Sequence, residues 1–204
     1  MAASQVVHVI DDDADVRQSL AFLLSTAGLA VRVHESAVAF LEVVADVQGG
    51  CVVTDIRMPQ IDGLELQRRL RARGSSLPVI VMTGHGDVSL AVEAMKAGAV
   101  DFIEKPFDDD VLLAAIRTAL SRHAEDSERE ARKAMIQDRL KALSEREREV
   151  LEGLVAGKAN KVIAHDLGIS PRTVEVYRAN VMTKMQADSL SELVRMALVE
   201  GGAL

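Results

Sequence analysis

Over the first 120 residues, short apolar or β-branched runs alternate with stretches of helical periodicity. The runs fall at 6–10, 30–34, 51–54, 79–83 and 100–104. Helical periodicity appears near 13–26, 36–45, 61–72 and 88–97, and again from about 108. Strand-length runs that are apolar on both faces, separated by helices, indicate a parallel sheet covered on both sides. Five such units predict a doubly wound α/β domain with a five-stranded parallel sheet. A TIM barrel needs about eight.

The pattern changes after Pro106, because no Gly or Pro follows until Gly153. Residues 121–133 carry eight charges in thirteen positions, with Glu125–Arg129 and Glu128–Arg132 at the favourable i,i+4 spacing. A flexible charged linker is one reading of this run. The preferred reading is a long helix continuing the fifth one, since helix formers dominate and nothing breaks it. The remainder predicts four helices and no strand. Ser144 with Glu147 forms a capping box, 160–167 is the second helix, Ser170-Pro171 opens the third, and Ser189 with Glu192 caps a fourth that ends at Gly201-Gly202. The expected division is 1–122 for the α/β domain, 123–143 for a helical linker and 144–204 for an all-α domain.

Composition adds limits. At 49% hydrophobic and 27% charged, the chain is an ordinary globular protein. No apolar run approaches the roughly 20 residues of a membrane-spanning helix, and the first five residues lack the pattern of a secretory signal. A single cysteine, Cys51, cannot form an intramolecular bridge, so a reduced, cytoplasmic compartment is expected. The net charge of −7 is uneven: 1–122 holds 17 acids and 11 bases, whereas 157–185 holds five bases against two acids. Only the second half can offer a surface to an anion such as nucleic acid.

In doubly wound sheets the functional crevice lies outside the carboxyl ends of the strands. The first run exits into Asp11-Asp12-Asp13, the third ends at Asp55, the fourth at Thr83 and the fifth at Lys105-Pro106. Asp13 on its own reads equally as a helix cap, and the whole set competes with a plain acidic rim and one compensating lysine. Taken jointly, the four exits point to phosphoryl transfer onto a carboxylate. Asp11, Asp12 and Asp55 repel one another, which a hard divalent cation, Mg²⁺ with several waters, would relieve. Asp55, alone at the end of a central strand, is the expected nucleophile, with Lys105 and Thr83 serving phosphoryl oxygens. A sharp turn that aims Lys105 back at the pocket predicts a cis bond to Pro106. His8, His34, His123 and His165 show no metal-ligand spacing, His85 reads as a loop residue, Cys51 as inert packing, and Met95, Met182, Met185 and Met196 as core filler.

In the second half, Ile163, Leu167, Ile169, Val174 and Tyr177 are apolar, Ala164 is small and Gly168 follows it by four residues. This spacing predicts two helices packed steeply through a tight turn. Val174, Tyr177, Val181 and Met185 form the expected buried stripe. The opposite stripe, Arg172, Glu175, Val176, Ala179 and Thr183, suits a major groove, where apolar groups meet thymine methyls and Glu175 accepts from cytosine. Lys158, Asn160, Lys161, Thr173, Arg178 and Lys184 would hold phosphates. A helical hairpin used only for packing is the bland alternative.

The exits Asp11-Asp12, Asp55, Thr83 and Lys105-Pro106 resemble the flavodoxin-like receiver domain of two-component response regulators. Together with MTGHGDV at 82–88, AVEAMKAGAVDFIEKPF at 91–107, SEREREVL at 144–151 and SPRTVEVYRANV at 170–181, they resemble the NarL/FixJ family along nearly the whole chain. The resemblance implies a transcription activator rather than an enzyme. Its phosphate would come from a sensor histidine kinase, and it would form a homodimer when phosphorylated and work on promoter DNA with RNA polymerase. It adds the backbone carbonyl of Arg57 to the Mg²⁺ ligands. It makes Phe102 an aromatic that swings inward with Thr83, against the plainer reading of a core phenylalanine. It places the dimer face around Val92, Lys96 and Asp101, gives the last helix a share in dimerisation, and implies an oxygen-responsive haem kinase and control of nitrogen-fixation genes at low oxygen. Two rival readings remain. A dehalogenase-type phosphatase uses similar groups, but would place its nucleophile in the 11–13 exit and needs a cap domain. A phosphorylation-independent scaffold would not need Asp55 and Lys105 intact.

Overall fold

A computed structural model of the chain describes residues 5–47, 49–84 and 88–200. It forms two compact units, Met1–Glu125 and Asp126–Leu204. The first runs β1 (Val6–Ile10), α1 (Ala14–Thr26), β2 (Ala30–His34), α2 (Ala37–Val43), a 3₁₀ turn at Val44–Asp46, β3 (Gly50–Asp55), α3 (Gly63–Ala72), β4 (Val79–Thr83), α4 (Val88–Lys96), β5 (Asp101–Glu104) and the first part of α5 (Asp109–Lys141). The sheet is parallel throughout, in the order β2-β1-β3-β4-β5. Strand order therefore reverses at β1, and the crevice opens where the chain leaves β1 and β3.

Successive strand residues feed opposite layers. Ile10, Val52 and Val81 pack with Phe40, Leu66 and Leu70 on one face. Val9, Val53, Ile80 and Met82 pack with Leu20, Leu24, Leu112 and Ile116 on the other. Each such fully buried side chain contributes about 1.5–3 kcal/mol relative to exposure. The prediction of runs covered on both faces holds for β3, which is buried along its length. It does not hold for β2, where Val33 is exposed, because an edge strand has a neighbour on one side only. Met95 is likewise exposed on α4, so it is not core filler.

In the second unit the chain continues from the rest of α5 into α6 (Glu145–Val155), α7 (Asn160–Leu167), α8 (Pro171–Met185) and α9 (Leu190–Arg195), with a closing π turn at Met196–Glu200. The expected helix end at Gly201-Gly202 lies outside the described residues. Ser144 and Glu147 make a complete capping box for α6, Ser170 caps α8 with Pro171 in its first turn, and Ser189 caps α9. Gly168 ends α7 at φ 65°, a left-handed value that glycine adopts without strain, and the chain turns directly into α8. The core of this unit joins Val150, Leu151, Ile163, Val174, Val181, Met185 and Leu193 with Ile136 and Leu143. Ile136 belongs to α5, so the last turns of that helix are part of the second unit's core.

Candidate functional site

Asp11 follows β1 directly and is 2% exposed, while Asp55 ends β3 and is 9% exposed. Lys105, just past β5, bridges them: its Nζ donates to Asp11 Oδ2 at 2.9 Å and to Asp55 Oδ1 at 2.6 Å. Burial alone lowers the ammonium's pKa. Hydrogen bonds and charge from Asp55 and Asp11 more than offset this, and the net shift is upward. The Lys105–Pro106 peptide is cis, as the turn predicted. Asp55 is further fixed by the Arg57 N–H, which donates to its Oδ2 at 2.6 Å. Behind Asp55 the start of α3 comes so close that a Cβ at Gly63 would lie 2.4 Å from the Asp55 carbonyl oxygen, so glycine is required there.

Asp11 is held on its other side. Its Oδ1 accepts the Asp13 N–H at 2.9 Å, and its carbonyl accepts from the Arg17 guanidinium at 2.7 Å. Asp13 caps α1 by accepting from the N–H groups of Asp15 and Val16, which matches its plainer reading. Asp12 is exposed beside the pair. Thr83, buried at the end of β4, donates its hydroxyl to the Gly84 carbonyl at 3.3 Å, and its own carbonyl accepts the Lys105 N–H at 2.7 Å. Phe102 stands 42% exposed on the edge strand β5, and Val92, Lys96 and Asp101 are exposed on α4 and β5. His85 lies outside the described residues.

Asp11, Asp12, Asp55 and the Arg57 carbonyl offer oxygen donors only, which is the chemistry a hard cation selects. Among the described residues no three Asp, Glu, His or Cys side chains converge as a preformed metal cluster. The Lys105 ammonium is the cation between Asp11 and Asp55. A carboxylate at a strand end, an ammonium beside it and a hydroxyl on the next strand can accept and hold a phosphoryl group.

On α8, Val174, Val181 and Met185 are buried and Tyr177 is half-buried, whereas Arg172, Glu175, Ala179 and Thr183 are exposed and Val176 is 57% exposed. Lys161, Arg172 and Arg178 make no ion pair among the described residues. Thr173 shares a hydrogen bond with Ser170 at 2.8 Å. Two bases expected to hold phosphates are already engaged: Lys158 pairs with Asp166 at 2.7 Å and Lys184 with Glu147 at 2.6 Å. The sequence shows Glu147 only as a capping residue, because its partner lies 37 positions away. Two of the histidines meet in the fold although they lie 26 positions apart. His8 and His34 stack with ring centroids 5.3 Å apart and share a 3.0 Å N···N contact, with Phe40 against both rings. Cys51 is fully buried and its thiol is pushed up to about 12 by burial, consistent with inert packing.

Residues 7–117 match the model of the response regulator receiver domain, and residues 141–197 match that of the bacterial regulatory proteins of the luxR family. A receiver followed by a DNA-binding helix-turn-helix defines a two-component transcription regulator, with a kinase and DNA as its partners. The chain belongs to the NarL/FixJ family of these regulators, a family of transcription factors and not of phosphatases. It is 63% identical over 203 residues to the transcriptional regulatory protein FixJ of Azorhizobium caulinodans, covering 100% of this chain and 96% of that protein. The FixJ of Bradyrhizobium diazoefficiens is 56% identical over 195 residues, covering 96% of this chain and 95% of that one. Among solved structures, full-length FixJ from B. japonicum is 54% identical with a TM-score of 0.63, covering 100% of both chains. The response regulator StyR is 40% identical with a TM-score of 0.87, covering 96% of this chain and 98% of that chain. Among the described residues no helix is long and apolar enough to cross a membrane.

Proposed function

We propose that Asp55 is the phosphoacceptor and that its phosphorylation by a sensor histidine kinase turns on DNA binding through α8. The supporting observation is the Lys105 ammonium shared by Asp11 and Asp55 at adjacent strand ends. An Asp55 oxygen attacks the phosphorus of the kinase's phosphohistidine, the P–N bond breaks, and the imidazole nitrogen keeps the electron pair. Lys105 then exchanges an Asp55 oxygen for a phosphoryl oxygen, and Thr83 turns its hydroxyl from the Gly84 carbonyl toward another. Asp11, Asp12, Asp55 and the Arg57 carbonyl would hold Mg²⁺, which when bound offsets the crowding of negative charge. Phe102 moves inward as Thr83 turns, and the face around Val92, Lys96 and Asp101 pairs two chains.

In this reading the DNA-binding groups are Lys161, Thr173 and Arg178 on phosphates, with Arg172, Glu175, Val176 and Ala179 toward bases. The dimer recruits RNA polymerase in the cytoplasm, and likeness to FixJ supports nitrogen-fixation promoters as targets. Incubation with acetyl phosphate and Mg²⁺ tests the acceptor by mass. The unmodified chain gains one acid-stable phosphoryl group and Asp55→Asn gains none. A persisting gain on the variant would move the acceptor elsewhere.

A further inference from the structure

The C-terminal turn of α8 is tied at several points to the segment that enters the second unit from α5. Arg139, in the last turns of α5, donates from Nη1 to the Met185 carbonyl at 2.9 Å and from Nη2 to the side-chain oxygen of Gln186. Lys184 donates to the Ala142 carbonyl at 3.3 Å and to Glu147 Oε2 at 2.6 Å. Glu147 is only 4% exposed, and the same Oε2 accepts the Ser144 N–H at 2.8 Å.

Gln186 is the C-cap of α8 and has φ 54°, a left-handed conformation that a non-glycine residue keeps only when its surroundings hold it. Arg139 binds both the carbonyl before it and its side chain. The guanidinium also brings positive charge to the negative end of the helix. Ile136, 1% exposed and one turn earlier, anchors this part of α5 in the same core. All of these contacts lie within Asp126–Leu204, yet Arg139 falls outside the 141–197 stretch that matches the luxR-family model.

We propose that Arg139 is a positioning residue for DNA recognition. With the Lys184–Glu147 pair it fixes the C-terminal end of α8, and thereby the angle at which Arg172, Glu175, Val176 and Ala179 meet the bases. Base-edge hydrogen bonds weaken steeply with small displacements. Long, flexible Lys and Arg side chains follow a displaced phosphate with little loss. Releasing the end of α8 therefore costs sequence discrimination before it costs general affinity. The inference rests on α8 being the base-reading helix.

The test uses the full chain after acetyl phosphate and Mg²⁺. One probe is a duplex selected by the unmodified chain from a randomised pool, and the other is an unrelated duplex of equal length. Far-UV circular dichroism confirms folding at the assay temperature. Arg139→Ala is expected to weaken binding to the selected duplex about tenfold, the size of one lost base contact. Binding to the unrelated duplex and the salt slope should not change. Arg139→Lys recovers part of the loss, because an ammonium still reaches one acceptor. Lys141→Ala, which removes an exposed charge from the same helix end without touching the cap, leaves the ratio between duplexes unchanged. Equal weakening on both duplexes, or an unaltered ratio in Arg139→Ala while Glu175→Ala changes it, overturns the inference alone. If Glu175→Ala and Val176→Ala also leave the ratio unchanged, the base-reading role of α8 falls and the inference with it.

Discussion

Two buried carboxylates at the ends of β1 and β3 would be unfavourable without Lys105, since an unpaired buried charge costs several kcal/mol. Asp12, exposed beside them, can change without that penalty. Asp12→Ala is therefore expected to leave stability within about 0.5 kcal/mol and to raise the Mg²⁺ concentration needed for half-maximal acetyl-phosphate labelling about tenfold. An unchanged Mg²⁺ midpoint would remove Asp12 from the cation site. The histidine pair has a separate signature. Burial, then His34, then Arg32 lower His8 to about 4, and burial followed by Arg32 lowers His34 as well. An unfolded histidine titrates near 6.5, so between about 6.5 and 4 the unfolded chain binds more protons. This contribution is complete above pH 6.5 and is lost as pH falls toward 4, by roughly 3 kcal/mol at most for His8. Urea unfolding followed by circular dichroism should show a steeper loss between pH 6.5 and 5 for the unmodified chain than for His8→Leu; equal slopes would refute it. Lys105 and Asp55 were legible in the sequence because strand ends converge by topology. His8 and His34 were not, because their meeting depends on which strands become neighbours and on Phe40 arriving from α2.

At the scale of elements, α8 carries two classes of exposed side chain, and α7 adds Lys161. Arg178→Ala or Lys161→Ala should weaken binding to all duplexes alike and reduce the salt slope by about one. Glu175→Ala or Val176→Ala should change base preference, with each mismatch worth roughly 1–3 kcal/mol. If both classes lower affinity equally across a randomised site, α8 is not reading bases. The strands and most helices were legible because short runs apolar on both faces differ from a period of 3.6 and Ser, Asp and Pro mark the helix starts. The burial of Ile136 was not, since one apolar residue in a charged run looks like an exposed helix face until α6 and α8 pack on it. Lys184 looked free for phosphate for a similar reason: Glu147 reaches it only through the fold. A fragment spanning 126–204 keeps Ile136 and Arg139, and one spanning 144–204 loses both. Removing a buried large aliphatic side chain alone costs about 2–5 kcal/mol. Thermal melts should show a cooperative transition for the longer fragment and a far weaker one for the shorter; equal melting temperatures would show that the end of α5 adds nothing.

Across the whole molecule, charge and chemistry are divided between the two units. Residues 1–122 carry a net charge of −6 and residues 123–204 a net of −1, so the surface that meets DNA belongs to a chain whose other half repels it. Deleting 1–122 is therefore expected to raise affinity for DNA above that of the unphosphorylated full chain at fixed salt. Equal or weaker binding by the fragment would mean that the receiver works only by bringing two chains together. The central claim is that phosphate on Asp55 controls the DNA-binding half. The most direct measurement is the affinity of the full chain for a selected duplex, before and after acetyl phosphate with Mg²⁺, in the unmodified protein and in Asp55→Asn. Coupling of this kind typically amounts to about 5–150-fold. The account predicts a gain of that order for the unmodified chain and none for Asp55→Asn. No gain in the unmodified chain, or an equal gain in Asp55→Asn, would contradict it.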